Sequence, residues 1–83
     1  MNPITVYGAD WCEDTKSTLH HLDSLGVQYE YINIENDPHA RHWVKAHNEG
    51  KQKTPTVDIE GQVLSVPDER QLEETLRGTG LMS

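Results

Sequence analysis

Residues 6–15 read Val6-Tyr7-Gly8-Ala9-Asp10-Trp11-Cys12-Glu13-Asp14-Thr15. An extended apolar segment passes through a short loop into a polar run that is typical of a helix start. Cys12 is the only cysteine in the chain. At a helix start the backbone N–H groups lack partners and the helix dipole is positive, and both favour a thiolate over a thiol. The segment therefore predicts a strand-to-helix turn that carries a reactive sulfur.

The composition limits the architecture and the classes of partner. A chain of 83 residues supports one domain with one core. A single cysteine excludes an internal disulfide, and the dispersed histidines have no zinc-site spacing, so no metal site is expected. The net charge of −7 disfavours binding to nucleic acid or an anionic membrane and suits a basic or neutral protein partner.

The amino terminus gives an expectation about location. Residues 1–5 contain neither a basic n-region nor an apolar h-region. No stretch approaches the roughly 20 apolar residues needed to cross a bilayer. We therefore expect a cytoplasmic protein.

Hydrophobic periodicity predicts the element order βαβαββα within one domain over residues 1–78. The predicted elements are a strand over 3–7, a helix over 12–25, a strand over 27–34, a helix from 38 to near 48, a hairpin over 56–66 and a helix beginning with Pro67 at its first position. The first two strands should be parallel and the last two antiparallel. Residues 79–83 are expected to form a loose tail because little in them suggests an anchor.

Three segments together resemble motifs of one superfamily. They are Trp11-Cys12-Glu13-Asp14-Thr15 in place of W-C-x-x-C, Lys53-Thr54-Pro55-Thr56-Val57 in place of a T-V-P-T-V loop, and Val66-Pro67-Asp68-Glu69 at the start of the last helix. In this combination the chain resembles the thioredoxin superfamily and, within it, small glutaredoxins and mycoredoxin-like proteins. The resemblance implies an α/β thioredoxin/glutaredoxin-like fold, with a four-stranded mixed sheet flanked by three helices.

The resemblance also implies a chemistry. Cys12 would be the nucleophile of a thiol–disulfide oxidoreductase that acts on mixed disulfides between proteins and a small thiol. Because Thr15 stands where a resolving cysteine is usual, the cycle would be monothiol, and an outside thiol would release the product. The Thr15 hydroxyl is available to hydrogen-bond the sulfur. In contrast, the carboxylates of Asp10, Glu13 and Asp14 oppose formation of a thiolate.

Five further residues are implied on the substrate side. Pro55 would be cis and face Cys12, so that the backbone of Thr54 pairs with an extended substrate, and Trp11 would form an apolar wall. Pro67 and Asp68 stand where many glutaredoxins bind the ligand's terminal carboxylate with a glycine-rich helix start. Proline removes one N–H donor and Asp68 adds negative charge, so this anion site is expected to be poor.

The expected partners are a low-molecular-weight thiol, glutathione or an analogue, as co-substrate and a protein thiol or disulfide as substrate. We expect a monomer with no tightly bound cofactor; an iron–sulfur cluster is disfavoured because Glu13 and Asp14 replace the residues of a C-G-F-S motif. An alternative is a non-catalytic binding or redox-sensing module that holds a partner peptide beside the Thr54–Pro55 loop. A buried, inert Cys12 is a further alternative.

Overall fold

A mixed four-stranded β-sheet forms the centre of the fold in the computed structural model, which describes residues 3–82. The elements are β1 (Ile4–Gly8), α1 (Glu13–Ser24), β2 (Glu30–Asn33), a 3₁₀ turn (Ile34–Asn36), α2 (Pro38–His47), β3 (Thr56–Ile59), β4 (Gln62–Ser65) and α3 (Glu69–Gly78). The strand order is β2-β1-β3-β4, with β1 parallel to β2 and antiparallel to β3, and β3 antiparallel to β4. The predicted fold class is therefore confirmed. Within residues 3–82, no helix is both long enough and apolar enough to span a bilayer.

Alternation along the strands divides the core between the two faces of the sheet. One cluster joins β1 and β3 to α1 and α3 and consists of Ile4, Val6, Leu22, Val57, Ile59, Leu72 and Leu76. The second cluster contains Ile34, Ala40 and Val44, with Tyr7 and Trp43 packed against it, and seats α2 on the other face. The rings of Tyr7 and Trp43 stack with centroids 4.4 Å apart. Helices α1 and α3 therefore lie side by side on one face.

The end of β1 and the first turn of α1 approach each other closely at Gly8. A Cβ atom built on Gly8 would lie 2.5 Å from Cγ2 of Thr15, so a side chain at position 8 does not fit without displacing Thr15. Thr15 is fully buried in this contact. The contact fixes the start of α1 beyond the carboxyl end of β1.

The second strand is shorter than predicted. It begins at Glu30, which pairs with Thr5, whereas the prediction began it at residue 27. Val27 and Tyr29 instead pack partly buried against the core without joining the ladder, and Pro3, just before β1, has no N–H to donate to such a ladder. Hydrophobic residues here indicated burial and were misread as strand.

The third helix also starts later than predicted. Pro67 precedes the helix, and Asp68 is its N-cap. The Asp68 carboxylate accepts a hydrogen bond from the Gln71 N–H at 2.8 Å, while the Gln71 side chain accepts one from the Asp68 N–H at 3.0 Å. This reciprocal capping box sets the helix start at Glu69. The prediction of Pro67 at the first helical position was therefore wrong.

The carboxyl-terminal residues are anchored rather than loose up to residue 82. The N–H groups of Leu81 and Met82 donate to the Leu76 carbonyl at 2.9 and 3.3 Å. Their side chains pack against the core cluster beside α3. The expectation of a loose tail is thus wrong for residues 79–82, because Leu81 and Met82 supply the apolar anchor that it overlooked, and Ser83 lies outside the described residues.

Candidate active site

Cys12 lies at the N-cap of α1, immediately beyond the loop that follows β1. Its N–H donates to the Ala9 carbonyl at 3.1 Å, and its carbonyl accepts from the Lys16 N–H at 3.0 Å. The residue is partly buried, and its backbone is held by a turn on one side and by the helix on the other. The backbone of Cys12 is therefore held in place, and the residue stays partly accessible to solvent.

Thr54 contacts the sulfur from the loop before β3. Its hydroxyl donates to Sγ of Cys12 at 3.3 Å, and the Cys12 thiol donates to the Thr54 carbonyl at 3.6 Å. The peptide bond between Thr54 and Pro55 is cis. The buried Pro55 accepts a hydrogen bond at its carbonyl from the Val66 N–H at 2.8 Å, which ties the loop to the end of β4. The structure thus brings Cys12, Thr54 and Pro55 together.

The hydrogen bonds around Cys12 lower the pKa of its thiol. Burial acts in the opposite direction and raises the pKa, but the Thr54 hydroxyl, the N–H and hydroxyl of Thr15 and the N–H of Asp14 together outweigh it. The Thr15 hydroxyl also accepts a hydrogen bond from the Ala9 N–H at 3.4 Å, which leaves its own hydrogen available to the sulfur. The net effect favours the thiolate, despite the acidic residues nearby.

Two of those acidic residues have partners of their own. Glu13 pairs with Lys16 at 3.4 Å on the exposed face of α1. Asp10 accepts a hydrogen bond from the Tyr31 hydroxyl at 2.7 Å. Burial, this hydrogen bond and the negative charge of Asp10 raise the pKa of Tyr31 well above its usual value, so its hydroxyl stays a donor. Tyr31 therefore reduces the influence of Asp10 at the loop before Cys12.

Trp11 is the most exposed large hydrophobic side chain described, with 64% of its surface accessible. It directly precedes Cys12 and is not covered by the core. Val66, after β4, is also exposed, at 41%. Apolar surface is thus available on both the segment that carries the sulfur and the segment bonded to Pro55.

A groove of about 300 Å³ runs between α1 and α3, and we call it the α1–α3 groove. Its lining includes Asp14, Thr18, His21, Val66, Pro67, Asp68, Glu69 and Leu72. Asp14 is two residues beyond Cys12, so one end of the groove lies near the sulfur. Pro67 and Asp68 therefore share a cavity with the first turn of α1, whereas the capping box of Asp68 already satisfies the Gln71 N–H.

His21 joins the two helices in a way that the sequence did not predict. Its Nε2 lies 3.2 Å from Oε2 of Glu73, and its Nδ1 lies 3.6 Å from Oε2 of Glu69. The two carboxylates are one helical turn apart on α3. This spacing in the sequence indicates that both can face the same neighbouring residue. Because each ring nitrogen faces a different carboxylate, the His21 ring links α1 to two acids of α3.

Sequence reasoning also missed two hydroxyl groups at the site. Thr54 was assigned a role through its backbone, but its side chain contacts the sulfur. Tyr31 was assigned to a strand, but its hydroxyl reaches the loop of Asp10. Both contacts join segments distant in sequence, and no local motif marks them.

Comparison with known proteins is consistent with this geometry. The family model for glutaredoxin matches residues 4–64. Mycoredoxin 1 from Corynebacterium glutamicum is 40% identical over 57 residues, which cover 69% of this chain and 70% of the relative.

Solved structures show the same likeness. The glutaredoxin grx-1 from Archaeoglobus fulgidus matches with a TM-score of 0.77 and 26% identity, over 94% of this chain and 89% of that one. The thioredoxin-like protein BC3987 matches with a TM-score of 0.78 and 27% identity, over 88% and 99% of the two chains. The family match, the related sequence and the shared fold all agree: the chain belongs to the glutaredoxin family of thiol–disulfide oxidoreductases.

Proposed function

We propose that this protein is a monothiol glutaredoxin-like oxidoreductase that releases a small thiol from mixed disulfides of proteins. The observation that carries the proposal is the setting of Cys12, the only cysteine, at a helix start where surrounding donors lower its pKa. A lower pKa increases the thiolate fraction at neutral pH, and the thiolate is the attacking species.

The first step is an exchange at the small-thiol sulfur. The Cys12 thiolate attacks that sulfur, a disulfide forms between Cys12 and the small thiol, and the original disulfide bond breaks. The protein sulfur leaves as a thiolate and takes a proton from water. The Thr54 hydroxyl, 3.3 Å from Sγ, donates to the thiolate before attack.

The second step restores the enzyme. The thiolate of another small-thiol molecule attacks the small-thiol sulfur bound to Cys12, which gives a symmetric small-thiol disulfide and the free Cys12 thiolate. Thr15 has no sulfur, so it does not compete for the Cys12 adduct. Its hydroxyl and N–H act instead on the pKa of Cys12.

The remaining site residues bind substrate in this proposal. The backbone of Thr54, before Pro55, pairs with an extended segment of substrate, and Trp11 provides exposed apolar surface. Pro67 and Asp68 form the far wall, where the self-capped start of α3 offers few N–H groups to a carboxylate. The small thiol is glutathione or an analogue, the protein acts as a monomer, and no tightly bound cofactor takes part. Its setting is the cytoplasm, where thiols are kept reduced.

The test follows a peptide that carries one cysteine in a disulfide with glutathione. We expect the protein, supplied with free glutathione, to release the peptide thiol catalytically, and mass spectrometry to detect a glutathione adduct on Cys12. The matched Cys12→Ser variant should release nothing. An adduct-free protein that gives no faster release than Cys12→Ser would contradict the proposal, and peptide binding retained by both proteins would favour the binding module instead.

A further inference from the structure

The α1–α3 groove opens beside the sulfur that reacts in the proposed function. Asp14 lies in the first turn of the helix that Cys12 begins, and it lines the groove. Val66 lines it from the other side and is hydrogen-bonded to Pro55, next to the Thr54 that contacts Sγ. A polypeptide joined through its cysteine to a sulfur at Cys12 therefore has this groove as a neighbouring surface.

The groove combines apolar and acidic walls. Leu72 is buried at its base, and Val66 presents exposed apolar surface. The carboxylates of Asp14, Asp68 and Glu69 belong to its lining. Among the residues that the structure describes, no lysine or arginine forms an ion pair with any of these three acids. Glu69 lies 3.6 Å from His21 and Asp68 also caps α3, but no lysine or arginine in this part of the chain neutralises the three acids, so the groove attracts a cationic group from outside.

The charge of the groove indicates which kind of side chain it binds. The whole chain carries a net charge of −7, which adds to the local field of the three acids. A carboxylate entering the groove meets acids and an α3 start that is already capped by Asp68. A lysine or arginine side chain can lay its alkyl stem on the exposed Val66 and place its charged end among the acids.

We propose that the α1–α3 groove binds the polypeptide beside the disulfide of a protein substrate and selects a segment in which a basic residue neighbours the modified cysteine. This inference rests on the proposed function, because it places the protein half of the mixed disulfide in the groove. The protein thiolate leaves from there when Cys12 attacks the small-thiol sulfur. Selectivity then comes from the substrate's own sequence.

The test uses two glutathione-modified peptides that differ only in the residue next to cysteine, arginine in one and glutamate in the other. We expect kcat/KM for the arginine peptide to be about three to ten times higher at low salt, and the ratio to fall towards one at high salt. Equal values for the two peptides at low salt, with turnover present, would overturn the inference and leave the proposed function intact.

Matched variants distinguish an effect of the groove carboxylates on the arginine preference from an effect of the net charge. The double variant Asp14→Asn with Asp68→Asn removes two groove carboxylates, and asparagine retains the ability to cap α3. The control, Glu49→Gln with Glu60→Gln, removes the same charge from exposed positions outside the groove. The groove variant should lower the arginine preference to less than about twofold, and the control should keep it. An equal loss in both variants would assign the preference to net charge and overturn the groove.

A binding measurement covers the case in which no peptide is turned over. Calorimetry with Cys12→Ser and the same two peptides reports docking without exchange. Tighter binding of the arginine peptide that the groove variant weakens would support the groove even though the proposed catalysis had failed. The absence of any preference there would overturn the groove inference, whereas the proposed catalysis is tested by turnover alone.

Discussion

The starts of α1 and α3 lie on either side of one groove and satisfy their backbone N–H groups in opposite ways. At α3, Asp68 and Gln71 cap each other with two hydrogen bonds. At α1, the capping position holds Cys12, and the N–H groups of Asp14 and Thr15 act on its sulfur and lower its pKa. The N–H groups at the start of α3 are satisfied by side chains of the same helix, whereas those at the start of α1 interact with a titratable sulfur.

This difference separates stability from reactivity. Serine, threonine, aspartate and asparagine are the residues that stabilise a helix start best, and cysteine is not among them. Helix α1 is held instead by tertiary packing, since Thr15 in its first turn and Thr18 and Leu22 further along are buried. The fold therefore keeps α1 in place without a strong cap and leaves its N–H groups to the sulfur.

The largest expected effect comes from replacing the sulfur at the start of α1. Cys12→Ser should lower the exchange rate by at least about 10³-fold, because a hydroxyl does not replace a thiolate in disulfide exchange. The same change should raise the free energy of unfolding by about 0.5–1 kcal/mol, because serine is a good N-cap. Turnover of a glutathione-modified peptide and urea denaturation measure the two effects. A variant that is both inactive and clearly less stable would contradict the separation.

The second prediction concerns the capping carboxylate at the start of α3. Asp68→Ala should lower the free energy of unfolding by about 0.5–2 kcal/mol, because it removes the carboxylate that accepts the Gln71 N–H. Asp68→Asn, which keeps a capping oxygen, should lose less. Thermal denaturation of both variants checks the order. Equal stability of the two variants would show that the cap contributes little here.

A third prediction sharpens the account of the α1 sulfur. Thr54→Val removes the hydroxyl that donates to Sγ while preserving the shape of the side chain, so the pKa of Cys12 should rise. Alkylation of Cys12 at neutral pH should then become a few times slower, since the thiolate fraction falls. The pH profile of iodoacetamide modification measures the shift. Thr5→Val, on β1, is the control and should leave the profile unchanged.

The smallest expected effect is on stability as a function of pH. Because folding lowers the pKa of Cys12, ionisation of this thiol stabilises the folded state above the pKa of the unfolded chain, and the gain is lost as pH falls through the folded pKa. The difference in unfolding free energy between the native protein and Cys12→Ser should therefore shift in favour of the native protein as pH rises through the thiol's titration. Urea titrations at several pH values measure it. A difference in unfolding free energy that does not change with pH would contradict this link between Cys12 ionisation and stability.

Much of the fold could be predicted because its signals are local. Alternation in β1 and the spacing of Leu72 and Leu76 in α3 each lie within one element, and the element order was confirmed. The start of β2 was wrong because Val27 and Tyr29 are apolar for packing and not for strand pairing. The prediction of a loose tail was wrong because the burial of Leu81 and Met82 depends on a surface that other segments form.

The site was predictable only where a motif marks it. Cys12 and Pro55 were found from short sequence patterns, and the structure brings them together around Thr54. The hydrogen bond from Tyr31 to Asp10 joins residues that are neighbours only after the strands have paired. The lowered pKa of Cys12 depends in part on another such contact, from the Thr54 hydroxyl, whereas the sequence left open the balance between the helix start and the nearby acids.

The contact between Gly8 and Thr15 also constrains any redesign of this protein as a dithiol. Thr15→Cys would restore the second thiol, but its sulfur would occupy the fully buried space that faces Gly8. Sulfur accepts hydrogen bonds weakly, so the Ala9 N–H would lose most of its bond to the Thr15 hydroxyl, at a cost of about 1–3 kcal/mol. A two-cysteine version of this chain would therefore begin from a weaker fold, and an engineer would have to change positions 8, 9 and 15 as one unit.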